Sequence, residues 1–157
     1  MAREIERKFL VRHDGWKSGV SHQVHYRQGY LASNGRVSIR VRVSDAQAHL
    51  NIKSATLGVE RLEYEYPIPL DEAHELLDRL ADGPLIEKTR YEVPLGAHTW
   101  EIDVFEGDNQ GLVVAEIELS SPDEAFERPD WLGDEVSHDP RYYNVCLVKH
   151  PYRDWQD

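Results

Sequence analysis

Pairs of ionisable residues two positions apart recur along this chain. Five of these pairs carry one sign of charge: Glu4/Glu6, Arg40/Arg42, Glu63/Glu65, Lys88/Arg90 and Glu116/Glu118. In a β-strand, residues i and i+2 point to the same side of the sheet, about 7 Å apart, so each pair presents two like charges together. Such charges repel one another, and a ligand of opposite charge would offset that repulsion.

Acidic and basic side chains of this kind suit the two parts of a metal-bound polyanion. Carboxylates hold hard divalent cations, whereas arginine and lysine bind phosphate oxygens. The basic candidates are Lys8, Arg40, Arg42, Lys53, Lys88 and Arg90. The acidic candidates are Glu4, Glu6, Glu63, Glu65, Asp103, Glu116 and Glu118. If roughly eight strands closed into a barrel around them, the residues predict an enclosed site for polyphosphate with magnesium or manganese. A solvated sheet face is the alternative.

The elements that must position these side chains are mostly strands. Alternation of charged and apolar residues predicts strands at about residues 3–11, 22–31, 36–44, 48–54, 58–67, 85–93, 99–105 and 112–119. Asn34-Gly35 predicts a tight hairpin whose turn residues have positive φ. Apolar residues at i, i+3, i+4 and i+7 predict a helix over residues 71–81.

Two proline-containing signals predict helices after the last of these strands. Ser121-Pro122 predicts a short helix to about Glu127, and Asp139-Pro140 predicts a helix to about Lys149. The second helix either caps one mouth of the barrel or docks on its outer wall. The predicted fold class is mainly β (α+β), with about eight antiparallel strands over residues 3–120, which either close into a β-barrel or form a sheet with a solvated charged face, and helices at about 121–150. One domain, residues 1–157, is expected.

The composition narrows the classes of function. The chain has 157 residues with 29 acids and 18 bases, for a net charge of −11. This balance argues against binding a nucleic-acid backbone as its main function. Cys146 is the single cysteine, so no internal disulfide is expected, and no apolar run reaches the ~18 residues of a membrane span. We expect a cytoplasmic protein, monomeric or homodimeric, with neither nucleic acid nor membrane as its partner.

The opening segment Glu4-Ile5-Glu6-Arg7-Lys8 resembles the Glu-x-Glu-x-Lys signature of the CYTH superfamily, the triphosphate tunnel metalloenzymes. Later segments resemble the same family in the same order: Gln28-Gly29-Tyr30-Leu31, Ile39-Arg40-Val41-Arg42, Ile52-Lys53, Arg61-Leu62-Glu63-Tyr64-Glu65, Lys88-Thr89-Arg90, Ile102-Asp103, Phe105-Glu106-Gly107 and Glu116-Ile117-Glu118. The segment 139–144 is similar to the helix that follows the barrel in small bacterial members.

The resemblance implies an eight-stranded antiparallel tunnel whose enzymes hydrolyse a triphosphate with Mg²⁺ or Mn²⁺. The expected substrate is inorganic tripolyphosphate, and the expected products are pyrophosphate and phosphate. Metal binding is implied for Glu4, Glu6, Glu63, Asp103, Glu116 and Glu118. Phosphate binding is implied for Lys8, Arg40, Arg42, Lys53, Lys88 and Arg90. Glu4, Glu6 and Lys8 become the candidate catalytic residues, with the attacking water on the side of Glu4 and Glu6.

Other functions are compatible with the same residues. Within the superfamily, the substrate could be an organic triphosphate such as thiamine triphosphate or a nucleotide, or the reaction could be cyclisation of ATP. From other classes, the protein could bind polyphosphate without turnover, or carry small apolar ligands. An apolar carrier requires the arginines outside the barrel and these residues inside it: Val37, Ile39, Val41 and Val43. The strand register therefore decides whether this function is possible.

Overall fold

Antiparallel strands make up most of the protein in the computed structural model, which describes residues 3–55 and 58–155. The strands are β1 (Arg3–Val11), β2 (His22–Ser33), β3 (Val37–Val43), β4 (Ala48–Ser54), β5 (Glu60–Ile68), β6 (Ile86–Leu95), β7 (His98–Phe105), β8 (Val113–Glu118) and β9 (Leu132–Glu135). The α-helices are α1 (Leu70–Leu80) and α2 (Asn144–Lys149). Short 3-10 helices span Asp14–Gly19, Gly107–Asn109, Pro140–Tyr142 and Tyr152–Asp154. The predicted domain also includes residues 1, 2, 56, 57, 156 and 157, which lie outside the described residues.

Eight of the strands close into a ring. The order is β5-β4-β3-β2-β6-β7-β8-β1, and β1 pairs again with β5. β1 is long enough to serve two neighbours, because it pairs with β5 through Arg3–Ile5 and with the additional strand β9 near Phe9 and Val11. All of these pairings are antiparallel. The eight-stranded antiparallel barrel implied by the family resemblance is therefore confirmed.

The strand register places the charged faces inside the ring. On β3, Arg40 and Arg42 line the interior cavity. Their neighbours Val41 and Val43 are buried on the outer wall, in an apolar cluster with residues of α1. Since successive side chains of a strand point to opposite faces, this register excludes the carrier of apolar ligands.

The apolar core lies around the ring and at one end of it. Phe9 and Trp100 belong to an outer cluster, with their rings edge to face and centroids 5.6 Å apart. A second cluster packs inward-facing Tyr30 and Phe105 against Leu147 of α2. The C-terminal helix therefore caps one mouth of the barrel. None of the helices within residues 3–55 and 58–155 is long and apolar enough to cross a bilayer.

Residues 121–127 form a turn followed by a segment without regular secondary structure, so the short helix predicted there is wrong. The turn is closed by a hydrogen bond from the N–H of Glu124 to the carbonyl of Ser121, at 3.2 Å. Phe126 then packs against Phe9 and Trp100, with ring centroids 5.9 and 5.8 Å apart. Burial of this aromatic ring outweighs the capping signal and draws the chain out of the turn. The strand β9 that follows has four residues, too few to show an alternating pattern.

The turn between β2 and β3 is stabilised in a different way from the one predicted. Neither Asn34 nor Gly35 has a positive φ. The Asn34 side-chain oxygen instead accepts hydrogen bonds from the N–H groups of Arg36 and Val37, at 2.8 and 3.1 Å. An asparagine side chain can replace a backbone acceptor in this way, so the turn needs no left-handed residue.

The predicted helix from Pro140 is interrupted. A 3-10 turn covers Pro140–Tyr142, and α2 begins only at Asn144. Tyr143 between them is extended, with ψ 134°. Its hydroxyl donates to the carbonyl of Ser137 at 2.7 Å and accepts from the N–H of Gly58 at 3.0 Å. These two bonds hold Tyr143 away from a helical conformation.

Candidate active site

A cavity of about 310 Å³ occupies the interior of the ring, and each of the eight ring strands contributes to its lining. The acidic lining residues are Glu4, Glu6, Glu63, Glu65, Glu101, Glu116 and Glu118. The basic lining residues are Lys8, Arg40, Arg42, Lys53, Arg61, Lys88 and Arg90. Tyr30, Ser38, Tyr143, Asn144 and Val145 complete the lining. The volume is at the lower end of the range typical of small-molecule sites.

Every site residue predicted from the sequence lines this cavity except Asp103. The Asp103 carboxylate lies behind the lining, 1% exposed, and both of its oxygens face cations. It accepts from Lys88 Nζ at 2.7 Å and from Arg90 Nε and Nη2 at 2.8 and 3.0 Å. In the structure this carboxylate is the counter-charge of two buried cations, and metal binding by Asp103 stays a prediction. Asp103 orients two basic side chains.

Three arginines gather on β3 and β6. Arg42 stacks on the ring of Tyr26, with its guanidinium carbon 4.2 Å from the centroid, and Arg90 lies 5.6 Å from the same ring. Burial lowers the pKa of Arg42, and the positive charges of Arg40 and Arg90 lower it further. Arg40 is 8% exposed and has no carboxylate partner among the described residues, and its Nε has no hydrogen-bond partner there. Arg42 lies 3.8 Å from Glu65, so Arg40 is the member of this group that lacks an ion pair among the described residues.

Arg90 and Lys88 are the most firmly held of the basic groups. Arg90 Nη2 donates to Glu116 at 3.0 Å, and Nη1 donates to Glu101 at 3.3 Å. Lys88 is 1% exposed, and its burial lowers the pKa of its ammonium to about 8 in spite of Asp103 nearby. A charged group buried this deeply keeps its proton only while its partners stay in place.

Carboxylates dominate the opposite part of the cavity. Glu6 and Glu118 are direct cross-strand partners on β1 and β8. Burial raises the pKa of Glu118, and the negative charges of Glu4 and Glu63 raise it further. Adjacent carboxylates of this kind favour either a shared proton or a bound cation. The acidic part of the cavity therefore has the ligand chemistry that a hard divalent ion needs.

One lysine offsets part of this acidic charge. Lys53 Nζ lies 3.3 Å from Glu4 and 3.0 Å from Glu63. Arg61 is more distant, 3.8 Å from Glu4. Both of these contacts are made by Glu4 Oε2, which is buried and accepts no hydrogen bond of good geometry from either cation. A buried carboxylate oxygen with ion-pair contacts but no hydrogen bond, beside Glu6, is the observation that best fits a metal to these residues.

The C-terminal segment reaches into the site and holds Lys8. The N–H of Lys8 donates to the hydroxyl of Ser137 at 2.9 Å, and Nζ donates to the carbonyl of Tyr142 at 3.2 Å. The ammonium also lies 3.5 Å from Glu116 and 5.2 Å from the ring centre of Tyr143. Lys8 is thus fixed from two sides of the cavity.

Several lining residues are additional to the predicted site. Arg61 and Glu101 share the inward face of their strands with Glu63 and Asp103, so alternation alone could have found them. Burial raises the pKa of Glu101 to about 7, and Glu116 and Asp103 raise it against the effect of Arg90. Tyr143 and Asn144 come from outside the barrel, and no periodicity in the sequence marks their position.

A separate group of possible metal ligands lies on the outer wall. His25, Glu87 and Glu106 present ligand atoms within 4.8 Å of one another. His25 is partly exposed and the two glutamates are exposed. This group does not touch the cavity, so it is distinct from the carboxylates of the tunnel.

Comparisons with known proteins agree with this geometry. The CYTH domain matches residues 2–143. The chain is 48% identical over 157 residues to an inorganic triphosphatase of Acetivibrio thermocellus, covering 100% of both. It is 38% identical over 149 residues to an inorganic triphosphatase of Nitrosomonas europaea, covering 92% of this chain and 96% of the relative.

Solved structures show the same fold. A crystal structure of an inorganic triphosphatase superposes with a TM-score of 0.66 at 37% identity, covering 92% of this chain and 97% of the other. A Pyrococcus horikoshii protein at 22% identity gives a TM-score of 0.60, covering 76% and 80%, and supports the fold alone. With its tunnel of paired charges and a domain match over most of its length, this chain belongs to the CYTH family.

Proposed function

We propose that this protein hydrolyses inorganic tripolyphosphate to pyrophosphate and phosphate with Mg²⁺ or Mn²⁺. The carrying observation is one enclosed cavity that brings clustered basic side chains together with clustered carboxylates. Arg40 has no ion pair among the described residues, and Glu6 lies directly across from Glu118. Two full-length relatives are inorganic triphosphatases, and triphosphatases of the CYTH family are metal-dependent. The predominantly charged lining favours a bare phosphate chain over a substrate with a large organic group.

The basic side chains would bind the phosphate chain. The proposed phosphate ligands are Lys8, Arg40, Arg42, Lys53, Lys88 and Arg90, with Arg61 as an addition. Arg40 and Arg42 form a pair of guanidinium forks on one strand, and such forks bind phosphate oxygens two at a time. Arg90 has less freedom, because its donors are shared among three carboxylates. We propose that Arg90 mainly supplies a fixed positive charge beside the bound phosphate chain.

The acidic side chains would hold the metal. The proposed ligands are Glu4, Glu6, Glu63, Glu116 and Glu118, while Asp103 keeps its role as partner of Lys88 and Arg90. A bound divalent ion would neutralise phosphate charge and lower the pKa of a water molecule. Glu4 and Glu6 would orient the attacking water and accept its proton.

The reaction requires one bond to form and one to break. The oxygen of water attacks a terminal phosphorus, the P–O bond to the adjacent phosphate breaks, and that electron pair leaves with pyrophosphate. Lys8, held by Tyr142 and close to Glu116, would stabilise the charge on the departing oxygens. Positioning and charge stabilisation of this kind provide most of the catalysis in phosphoryl transfer.

Phosphate release tests this function. We expect turnover of tripolyphosphate with magnesium or manganese, and much slower turnover of ATP and thiamine triphosphate. Glu6→Gln should abolish turnover while Glu75→Gln, an exposed change on α1, should not. Tight binding of tripolyphosphate without phosphate release would instead identify a polyphosphate-binding module. Faster turnover of an organic triphosphate would contradict the proposed substrate.

A further inference from the structure

We infer that Asn144, the first residue of α2, is a positioning residue for Lys88. The Asn144 side-chain oxygen accepts from Lys88 Nζ at 3.2 Å and from Gln28 Nε2 at 2.9 Å. Gln28 and Lys88 are 0% and 1% exposed and Asn144 is partly buried, so both bonds are partly shielded from water. This role rests on the proposed function, in which Lys88 binds a phosphate oxygen.

The ammonium of Lys88 needs more than one partner to stay in place. Its flexible stem of four carbons has many rotamers, and an ammonium group carries three donors. Asp103 takes one donor at 2.7 Å and Asn144 takes a second. One donor remains for a ligand in the cavity. Asn144 therefore fixes the direction of the ammonium, which Asp103 alone would leave free to rotate about a single contact.

A neutral amide suits this position better than a second carboxylate. Asp103 already supplies a full negative charge to Lys88 and to Arg90. A second carboxylate would cancel the positive charge of Lys88 and repel an incoming phosphate. The amide oxygen of Asn144 holds the ammonium by a hydrogen bond and leaves its charge available.

The orientation of both amides follows from the cation. Lys88 can only donate, so Asn144 must turn its oxygen towards it, and Gln28 must then present its NH₂ group. Gln28 is itself fixed in β2, opposite Arg42 on β3 and Ile86 on β6. Asn144 thus connects the helix beyond the barrel to the wall of the tunnel.

A purely structural role would make Asn144 no more than an anchor for α2. Asn109 provides a matched control, because it is a buried asparagine whose side-chain oxygen accepts from the N–H of Tyr152 at 2.8 Å, anchoring the C-terminal segment outside the cavity. The test compares Asn144→Ala, Asn109→Ala, Lys88→Met and the double variant Asn144→Ala/Lys88→Met. The readouts are KM and kcat for tripolyphosphate with magnesium, and the melting temperature.

We expect Asn144→Ala to raise KM about tenfold, the value of one hydrogen bond to a charged group, with a smaller change in kcat. The effect should vanish in the Lys88→Met background, since two residues that act through one contact are not additive. Asn109→Ala should lower the melting temperature and leave KM unchanged. If Asn144→Ala does not fold, Asn144→Ser, whose hydroxyl is too short to replace the amide, should give the same rise in KM.

An equal rise in KM with and without Lys88 would overturn the inference, as would a loss of stability alone. If the unmodified protein lacks turnover, the proposed function fails separately. Calorimetric binding of tripolyphosphate to the same variants then decides the role of Asn144, with the dissociation constant in place of KM. Absence of both turnover and binding overturns both proposals.

Discussion

Replacement of Arg40 should separate substrate binding from stability. Arg40 is 8% exposed, and no carboxylate pairs with it among the described residues. Its positive charge lowers the pKa of Arg42, after the larger effect of burial. Arg40→Met keeps most of the side-chain volume and removes the charge. The charge of Arg40 attracts Glu63 and Glu65 at longer range, and it repels Arg42 and Lys88. Because no close ion pair of the described residues is broken, we expect the variant to be more stable than the parent protein while it binds tripolyphosphate less well.

The two effects can be estimated from the contacts. A hydrogen bond to a charged group contributes about 1.5–3 kcal/mol, so loss of one phosphate contact should raise KM roughly 10- to 150-fold. Removing a buried charge in favour of an apolar group of similar size should raise the free energy of unfolding by about 1 kcal/mol. In a domain of this size that gain corresponds to about 2–4 °C in melting temperature.

The assay pairs steady-state kinetics with thermal melting in the absence of ligand. Arg36→Met is the control, because Arg36 is exposed at the start of the same strand segment and lies outside the cavity. It should change neither KM nor the melting temperature. A lower melting temperature for Arg40→Met would show that Arg40 is paired in solution, and an unchanged KM would remove it from the phosphate site.

Four further outcomes are expected from the same geometry. Arg90→Met should lower the free energy of unfolding by about 3–5 kcal/mol in urea titrations, because Asp103 and Glu116 lose their buried partner; an effect no larger than that of Arg40→Met would contradict this. Burial raises the pKa of Glu101 from 4.5 to about 7, so the folded state holds more protons than the unfolded state in that window. Stability should therefore fall as the pH rises from about 4.5 to 7, and melting curves in EDTA should show a larger fall in the parent protein than in Glu101→Gln, where the raised pKa of Glu118 still contributes. Burial lowers the pKa of Lys88 to about 8, so kcat/KM should decline above that pH, and a similar decline in Lys88→Met would assign it to another group. Tripolyphosphate should raise the melting temperature strongly only when magnesium or manganese is present, and equal shifts in EDTA would remove the metal from the site.

The sequence pattern identifies which side chains share one face of a barrel strand. A period of two groups Glu4, Glu6 and Lys8 on β1, and closure of the ring decides that this face points into the cavity. The same pattern does not indicate whether a side chain on that face reaches the cavity or lies behind its lining. Glu101 and Asp103 are two positions apart on β7 and share a face, yet Glu101 lines the cavity and Asp103 lies behind it. Their depth depends on which cations the neighbouring strand places beside them.

The alternating pattern cannot predict the site residues that come from outside the barrel, for a different reason. Asn144 enters the site because α2 packs its apolar side on one mouth of the ring. That packing joins residues more than a hundred positions apart, and no local pattern specifies it. The interruption at Tyr143 has the same origin, since its two hydrogen bonds go to Ser137 and Gly58. Tertiary contacts decide both.

The ion pairs of the cavity imply that metal and substrate bind as a unit. Lys53 is shared by Glu4 and Glu63. A phosphate that draws Lys53 away leaves these two carboxylates uncompensated, whereas a metal bound to them releases Lys53 for the phosphate. Binding of either ligand would therefore lower the electrostatic cost of binding the other, and each would raise the affinity for the other by the same factor. Under the proposed function, the opposite charges that form ion pairs across the tunnel would exchange partners when metal and phosphate bind.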